Sequence, residues 1–507
     1  MEKLLMGIDI GTSACKAAVF DIDGNVVTQS AKEYKVYYPA AGYVEQEPEE
    51  WWEGVCGAIR EILASAAFKP EQLAGIGIDG QSWSAIPMDK NGRVLHRTPI
   101  WMDTRASAIA GRVTREIGAD RIFGISGNSF EPSYSTPKML WFKETLPDVY
   151  RNTYKFLQSN SYIAYRLTGR FTQDKSQGYG VHSFDIKTGK WDDGFCDELG
   201  IDREKLPEIF ECREVVGEVT SAASAQTGLP AGIPVVAGGL DACCGTLGAG
   251  VAAVGQTQEQ GGQAGGMSIC FDKALAHPKL ILSYHVVPEL WLLQGGTVGG
   301  GGAYKWMRQE LCGVEAQRES VSGVSSFEIM DKEAADIAPG SDGLVFLPYM
   351  AGERSPLWDK HAKGVFFGLG YDKTRAHMIR SVMEGCAFSL HHNLVTAEEA
   401  GAGTEVLNAM GGAANSRLWT QIKADVTGKV IQVPSSDTAT TMGAAILAGV
   451  GTGLYGSFNE AIGRTVRKTR QHEPDMQRHA LYMKYYEIYV ELYEKLKETM
   501  IKIDAIR

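Results

Sequence analysis

The 507-residue sequence has no uninterrupted apolar run long enough to cross a membrane, and a predicted strand begins too early to leave room for a signal peptide. Its nine cysteines include no Cys-x-x-Cys pair, and no histidine spacing is typical of a zinc protease. The net charge of −11 disfavours a large nucleic-acid-binding surface. We therefore expect a cytoplasmic protein in a reducing compartment, with neither a membrane nor a nucleic acid as partner.

The chain is longer than one hydrophobic core usually supports, so we expect two domains with a cleft between them. The composition, 44% apolar and 22% charged, is that of a folded globular protein. A glycine-rich stretch follows Asp241, and we place the domain boundary there, which gives domains 1–248 and 249–507.

The first motif is a predicted hairpin with polar residues at its bend. An apolar strand carries Asp9 into the turn Gly11-Thr12-Ser13, and a second apolar strand follows. The backbone amides, the two hydroxyls and Lys16 could bind phosphate, and Asp9 could hold a hydrated Mg²⁺. Taken alone, the motif is more typical of an ordinary hairpin with one buried aspartate.

Helix and strand patterns alternate after this hairpin. Pro48 starts an amphipathic helix pattern, and a buried strand pattern at 73–80 ends in a polar loop at Gln81. A second apolar strand ends before Asp241. Polar residues that follow strands in this way predict an α/β fold with ligands at the strand ends.

The second half opens like the first, with extended chain, a glycine turn and extended chain across 254–271. Glycines 299–302 precede a helix pattern whose amides could receive an anion, and another strand ends at Gly411 and Gly412. The patterns at 375–399 and over the last 30 or so residues predict two long helices that serve as scaffold.

Glycine turns near residues 11, 262, 300 and 412, together with strand-end Asp9 and Asp241, occur in order across two α/β halves. Segments 346–356 and 363–369 add a long specific signature. This set resembles the FGGY carbohydrate kinases, the sugar and polyol kinases of the actin-like ATPase superfamily, and most of all their xylulokinase branch. The resemblance implies two actin-like, ribonuclease H-like α/β domains that face each other across a catalytic cleft.

The resemblance also implies phosphorylation of a ketopentose or related polyol by ATP with Mg²⁺. It assigns Asp241 as the catalytic base, in contact with the sugar, and Asp9 as the metal-binding residue. The implied sugar-binding residues are Gln81, Ser82, Trp83, Trp101, Asp103 and Asp241. The implied nucleotide-binding residues are Thr12, Ser13, Lys16, Gly262, Gln263, Gly301, Lys305, Gly412 and Asn415. A homodimer is among the assemblies it allows.

The sequence departs from the xylulokinase pattern at three places. Ser82-Trp83 stands where Met-His is usual, and Ala242 replaces an asparagine after the catalytic aspartate. Because both changes remove hydrogen-bonding groups, they predict that D-xylulose is not the best acceptor. The second phosphate loop lacks its two usual hydroxyls and has Gln263-Ala264 instead, which predicts altered nucleotide handling.

Other functions remain open. Another FGGY substrate such as ribulose, glycerol or erythritol would use the same residues. A non-catalytic actin-like ATPase or sugar sensor fits the architecture but has no need of a base at Asp241. A nicotinamide-dependent dehydrogenase is disfavoured because no G-x-G-x-x-G turn precedes a ribose-binding acid.

Overall fold

The computed structural model describes residues 2–435 and 438–506. Its elements fall into two halves, and those of the first half come before residue 249. The strands of this half are β1 (Leu4–Ile10), β2 (Ala14–Phe20), β3 (Val26–Glu33), β4 (Glu45–Gln46), β5 (Leu73–Gly80), β6 (Ile86–Met88), β7 (Thr98–Pro99), β8 (Lys155–Leu157), β9 (Thr172–Asp174), β10 (Phe184–Asp185), β11 (Lys190–Trp191), β12 (Glu208–Phe210), β13 (Val215–Glu218), β14 (Pro234–Val236) and β15 (Gly239–Leu240). Its helices are α1 (Pro48–Ala64), α2 (Ser107–Ile117), α3 (Ala119–Ser126), α4 (Ser135–Thr145), α5 (Pro147–Asn152), α6 (Ser159–Thr168), α7 (Asp193–Leu199), α8 (Ser221–Thr227) and α9 (Asp241–Gly248).

The second half has its own set of elements. Its strands are β16 (Gln256–Gly261), β17 (Gly265–Phe271), β18 (Ile281–Tyr284), β19 (Trp291–Thr297), β20 (Val345–Leu347), β21 (Val365–Phe367), β22 (Val406–Met410), β23 (Val430–Pro434) and β24 (Lys468–His472). Its helices are α10 (Gly301–Leu311), α11 (Gly313–Ser322), α12 (Ser326–Ala335), α13 (Arg375–Glu399), α14 (Arg417–Thr427), α15 (Ala439–Gly451), α16 (Phe458–Thr465) and α17 (Met476–Ile506).

Each half is built on a seven-stranded mixed sheet. The first has the order β13-β14-β5-β1-β2-β3, with β15 also paired to β5, and the second has the order β18-β19-β17-β16-β22-β23-β24. Strand β1 lies between β5 and β2, so all seven of its residues are buried and the sequence there is almost entirely apolar. The α/β class expected from the sequence is confirmed.

The two halves of the chain are packed together through α15, which belongs to the second half but lies on the first sheet. Gly7 of β1 and Gly77 of β5 allow this contact, because a Cβ atom would lie 1.9 Å from the Thr441 carbonyl oxygen and 1.8 Å from that of Ala444, respectively. The division at residue 248 separates the strands of the two large sheets. The bounds of the two domains stay a prediction.

The predicted elements agree closely with the structure. The helices expected at Pro48, at 375–399 and at the C-terminus are α1, α13 and α17, and both glycine turns expected to join hairpin strands do so. The glycine-rich stretch after Asp241 is helix α9 rather than open chain. Gly248 permits its close contact with α15, since a Cβ there would lie 1.9 Å from the Ala439 carbonyl oxygen.

Two absences expected from the sequence can be compared with the described part of the chain. No helix within residues 2–435 and 438–506 has both the length and the apolar character that a bilayer span requires. All nine cysteines lie in these ranges, and each is a buried free thiol.

Candidate active site

The first carboxylate of the site, Asp9, is the penultimate residue of β1. It pairs in register with Asp79 of the parallel strand β5, so the two side chains lie beside each other. Asp9 is 5% exposed and Asp79 is 0% exposed. Thr440, near the start of α15, donates a hydrogen bond of 3.1 Å to Asp9 Oδ2, and the Lys16 ammonium lies 3.8 Å from the same oxygen.

Burial controls the charge of this pair. Desolvation raises the pKa of Asp9 above its ordinary value, although Asp79, Lys16 and Thr440 oppose the rise. Burial and the nearby charge of Asp9 raise the pKa of Asp79 much further. Neither Asp79 oxygen has a hydrogen-bond partner among the described residues, so this carboxyl group has no donor that would stabilise its charged form. Asp79 is therefore the member of the pair that favours the protonated form more strongly.

The second predicted carboxylate, Asp241, begins α9 at the same edge of the sheet. The preceding strand β15 pairs with β5 as Gly239–Asp79 and Leu240–Gly80, which brings Asp241 to the start of the Gln81 loop. Within the part of the chain that the structure describes, the one donor to its half-buried carboxylate is the Ala242 amide, at 2.7 Å. Burial, aided by the charge of Asp9, raises the pKa of Asp241 to about 7, which suits a group that must accept a proton near neutral pH.

The turn between β1 and β2 carries three predicted phosphate-binding residues, and these differ in exposure and in hydrogen bonding. Ser13 and Lys16 are exposed at the bend, where a phosphate could reach them. The Thr12 hydroxyl is already engaged, because it accepts from Trp101 Nε1 at 2.9 Å and donates to Gln81 Oε1 at 3.3 Å. This hydroxyl joins the turn to the loops that carry Gln81 and Trp101, whereas phosphate contact by Thr12 stays a prediction.

Two loops, 81–85 and 100–105, carry the predicted sugar-binding residues, and we call them the acceptor loops. Trp83 stacks on Tyr134 with ring centroids 4.2 Å apart and meets Tyr179 edge-on at 6.0 Å. Burial raises the pKa of the Tyr179 hydroxyl, the nearby charge of Asp241 adds to the rise, and the Ser82 side chain beside this hydroxyl opposes it. Ser82, Trp83 and Asp241 therefore surround one aromatic-lined region.

Gln81 and Asp103 are more enclosed than a direct sugar contact would require. Gln81 is 1% exposed and donates to Gln46 Oε1 at 2.7 Å. Asp103 is 0% exposed, and its carboxylate accepts from Arg105 and from the Val44 amide. These contacts support the acceptor loops from behind, and sugar contact by either residue stays a prediction.

The predicted nucleotide-binding residues of the second half come together around a large cavity. Its volume is about 980 Å³, and it is lined by glycine loops, by the start of α10 and by the turn before α14. Residues from the prediction that line it are Gly262, Gln263, Gly301, Lys305, Gly412 and Asn415. Backbone hydrogen bonds of 2.8 Å from Gly301 to Gly262 and from Gly302 to Gln263 join two of these loops.

The fit of the site to Mg²⁺ depends on its oxygen atoms. The Asp9 carboxylate supplies hard oxygen donors, which Mg²⁺ prefers. Within residues 2–435 and 438–506, no group of three or more His, Cys, Asp or Glu side chains is arranged to hold a metal by itself. The donor set therefore fits a Mg²⁺ ion that also takes oxygens from phosphate and water.

Sequence reasoning missed Asp79, Tyr179 and Thr440 as members of this site. Asp79 ends the same apolar strand that was recognised, so a second strand-end carboxylate was a visible signal. Thr440 lies 431 residues from Asp9, and no local pattern connects them.

Comparison with known proteins agrees with this geometry. The model of the FGGY family of carbohydrate kinases, N-terminal domain, matches residues 4–248, and that of the C-terminal domain matches residues 271–452. A xylulose kinase of Bacillus subtilis (strain 168) is 28% identical over 508 residues, covering 100% of this chain and 99% of the relative.

The solved structures that have a TM-score of 0.90 to this one include two sugar kinases. The xylulose kinase from Rhodospirillum rubrum is 27% identical, and the alignment covers 98% of this chain and 100% of that one. The gluconate kinase from Lactobacillus acidophilus is 25% identical, with coverage of 99% and 100%. These matches confirm the two-domain actin-like fold.

Proposed function

This chain belongs to the FGGY family of carbohydrate kinases, and we propose that it transfers the γ-phosphoryl group of ATP to a hydroxyl of a xylulose-like ketopentose or a related polyol. The observation that carries the proposal is the position of Asp241. A carboxylate with a pKa of about 7 lies beside the acceptor loops and is also close to Asp9 at the phosphate turn. A non-catalytic sugar sensor would not need a proton acceptor there.

In the reaction, Asp241 accepts the proton of the attacking hydroxyl while that oxygen bonds to the γ-phosphorus. The bond from the γ-phosphorus to its bridging oxygen breaks, and ADP leaves with that oxygen. Ala242 donates to one Asp241 oxygen at 2.7 Å, which keeps the carboxylate oriented. Closure of the cleft excludes water, which would otherwise compete as the acceptor.

The remaining residues hold the phosphates. Asp9, with Asp79 behind it, would hold Mg²⁺ together with phosphate oxygens and water. A bound Mg²⁺ neutralises the negative charge of the transferring phosphoryl group. Lys16 and the amides of the glycine loops at 262 and 301 provide positive charge and donors for phosphate oxygens. Gln263 offers an amide donor where the family usually has hydroxyls.

The cations at the acceptor loops favour a neutral sugar over an aldonate. Lys138 donates to the backbone carbonyls of Trp83 and Ile100, and the Arg105 guanidinium is paired with Asp103 and Glu45. Both cations are therefore committed to protein groups instead of being free to bind a substrate carboxylate. The Trp83 indole N–H is buried and has no hydrogen-bond partner among the described residues.

The experiment is an acceptor panel assayed by coupled ADP release. D-xylulose, other ketopentoses, ribulose, glycerol, erythritol and gluconate are compared with the wild type and with Asp241→Asn. We expect acceptor-dependent turnover with a ketopentose or polyol, little with gluconate, and a best acceptor other than D-xylulose. A gluconate optimum would overturn the neutral-sugar assignment. Acceptor-independent ATP turnover alone, with no acceptor used, would favour the sensor.

A further inference from the structure

Lys138 is a buried cation that the proposed mechanism does not use. It lies in α4 with 0% exposure, and its ammonium group donates to the backbone carbonyl of Trp83 at 2.9 Å and to that of Ile100 at 2.8 Å. One carbonyl belongs to each acceptor loop. A single side chain therefore joins the two loops from within the protein.

The first of these loops has a conformation that needs support. Trp83 has a φ of +62°, a left-handed value that is costly for a bulky residue and persists only where neighbours enforce it. Helix α4 provides two such contacts from one face, since Ser135 donates to the carbonyl of Ser84 at 3.1 Å and Lys138 holds the adjoining carbonyl. Together they fix two consecutive peptide groups of the loop.

The second loop is held at its first residue. The Ile100 carbonyl precedes Trp101, whose indole N–H bonds to Thr12 at the phosphate turn. A shift of this carbonyl would therefore move Trp101 relative to the turn. Lys138 thus lies at the junction of both acceptor loops and is fully buried there.

No carboxylate of residues 2–435 or 438–506 forms an ion pair with the Lys138 ammonium group. Burial lowers the pKa of Lys138 to about 7, and the nearby charges of Asp103 and Arg105 act in opposite directions. The ammonium and the neutral amine both keep at least two N–H donors, so both carbonyls stay satisfied on either side of that pKa. Burying a leucine or methionine side chain here would cost less free energy than burying an amine. The presence of lysine therefore indicates that its N–H donors are needed at this position.

We propose that Lys138 is a positioning residue for the acceptor: by holding the carbonyls of Trp83 and Ile100 it sets the relative position of the two acceptor loops. This inference rests on the proposed function, because it assumes that these loops bind the phosphoryl acceptor. Its consequence is selective. Loss of the donors changes binding of the acceptor while the nucleotide cavity in the other half stays intact.

The test is Lys138→Met, which keeps an unbranched side chain only one atom shorter and removes its donors. We expect the KM for the best acceptor to rise about tenfold or more and the KM for ATP to stay within about twofold. The matched control is Lys205→Met. Lys205 is 8% exposed and donates to the Thr153 carbonyl at 2.8 Å, and its other partners, Asp202 and Tyr150, belong to neither loop.

Lys138→Gln is the second variant and is the one measured if Lys138→Met does not fold. Its amide keeps two N–H donors, so we expect its KM for the acceptor to lie between those of the wild type and Lys138→Met. Unchanged acceptor KM in a folded Lys138→Met, equal rises in both KM values, or the same change in Lys205→Met would overturn the proposal and leave Lys138 a purely structural residue. Failure of the wild type to use any acceptor would instead contradict the proposed function.

Discussion

Asp9 and Asp79 pair in register on neighbouring parallel strands, and both carboxyl groups are almost completely removed from solvent. Two buried carboxylates in contact cannot both be charged at moderate cost, so one of them holds a proton. The positive charge of Lys16 and the donor Thr440 both lie on Asp9, which makes Asp9 the ionised member. The pair therefore favours a single negative charge, held at Asp9.

This relationship predicts opposite outcomes for two matched substitutions. Asp79→Asn replaces a fully buried carboxyl group, whose raised pKa favours the uncharged form, with an uncharged amide of similar shape, so we expect kcat within about threefold of the wild type and an unchanged Mg²⁺ requirement. Asp9→Asn removes the charge, so kcat is expected to fall about 100-fold or more, with a higher Mg²⁺ concentration needed for half-maximal rate. The measurement is a Mg²⁺ titration of kcat for both variants. An equal loss of kcat in the two variants would contradict the different roles assigned to Asp9 and Asp79.

Asp241→Asn tests the base. Turnover should fall about 100- to 10,000-fold while nucleotide still binds, as measured by calorimetry with ADP. In the wild type, kcat/KM for the acceptor should rise with pH through about 7 and then level off, because Asp241 accepts a proton only as the carboxylate. Near-normal turnover of the variant would remove the base assignment.

The same shift has a consequence for stability. The pKa of Asp241 is higher in the folded protein than its ordinary value of 3.8, so the fold favours the protonated form and loses stability as pH rises from about 4 to about 7. Asp241→Asn should therefore melt at a higher temperature than the wild type at pH 8, and this difference should shrink at pH 5. A constant difference across pH would contradict the raised pKa.

Gln263→Ala tests the altered phosphate loop. Gln263 lines the nucleotide cavity and is exposed to it, so its loss should raise the KM for ATP by about three- to tenfold and leave that for the acceptor unchanged. Gln477→Ala, the same change at an exposed position of α17, is the control. If both KM values stay at their wild-type levels, Gln263 does not contact the nucleotide.

Gly77→Ala tests the packing of α15 on the first sheet. The added Cβ would lie 1.8 Å from the Ala444 carbonyl oxygen, so the helix must move and we expect a loss of about 3 kcal/mol in unfolding free energy. Gly124→Ala in α3 is the matched control, since a Cβ there meets nothing within 4 Å. It should be neutral or stabilising by up to about 1 kcal/mol. Urea denaturation compares the two, and equal effects would contradict the close contact.

The sequence pattern was sufficient to predict those helices, strands and turns that depend on residues close together in the chain. The hairpin around Gly11, the start of α1 at Pro48 and the full length of α13 follow from alternation, a first-turn proline and helical spacing, because each element forms from contacts within its own segment. The glycine loops at 262, 301 and 412 are recognisable for the same reason, and the structure brings all three to one cavity.

Tertiary structure alone decided which side chains are free to act. Asp103 and Thr12 have the residue types expected of ligands, yet the fold engages the first with Arg105 and the second with Trp101 and Gln81. Thr440 and Lys138 reach the site from helices distant in the chain. The sequence by itself determined the fold class and the kinase family, because strand, turn and helix signals are short-range. Only the folded chain decided burial, charge state and partner, since these depend on contacts between residues far apart in sequence.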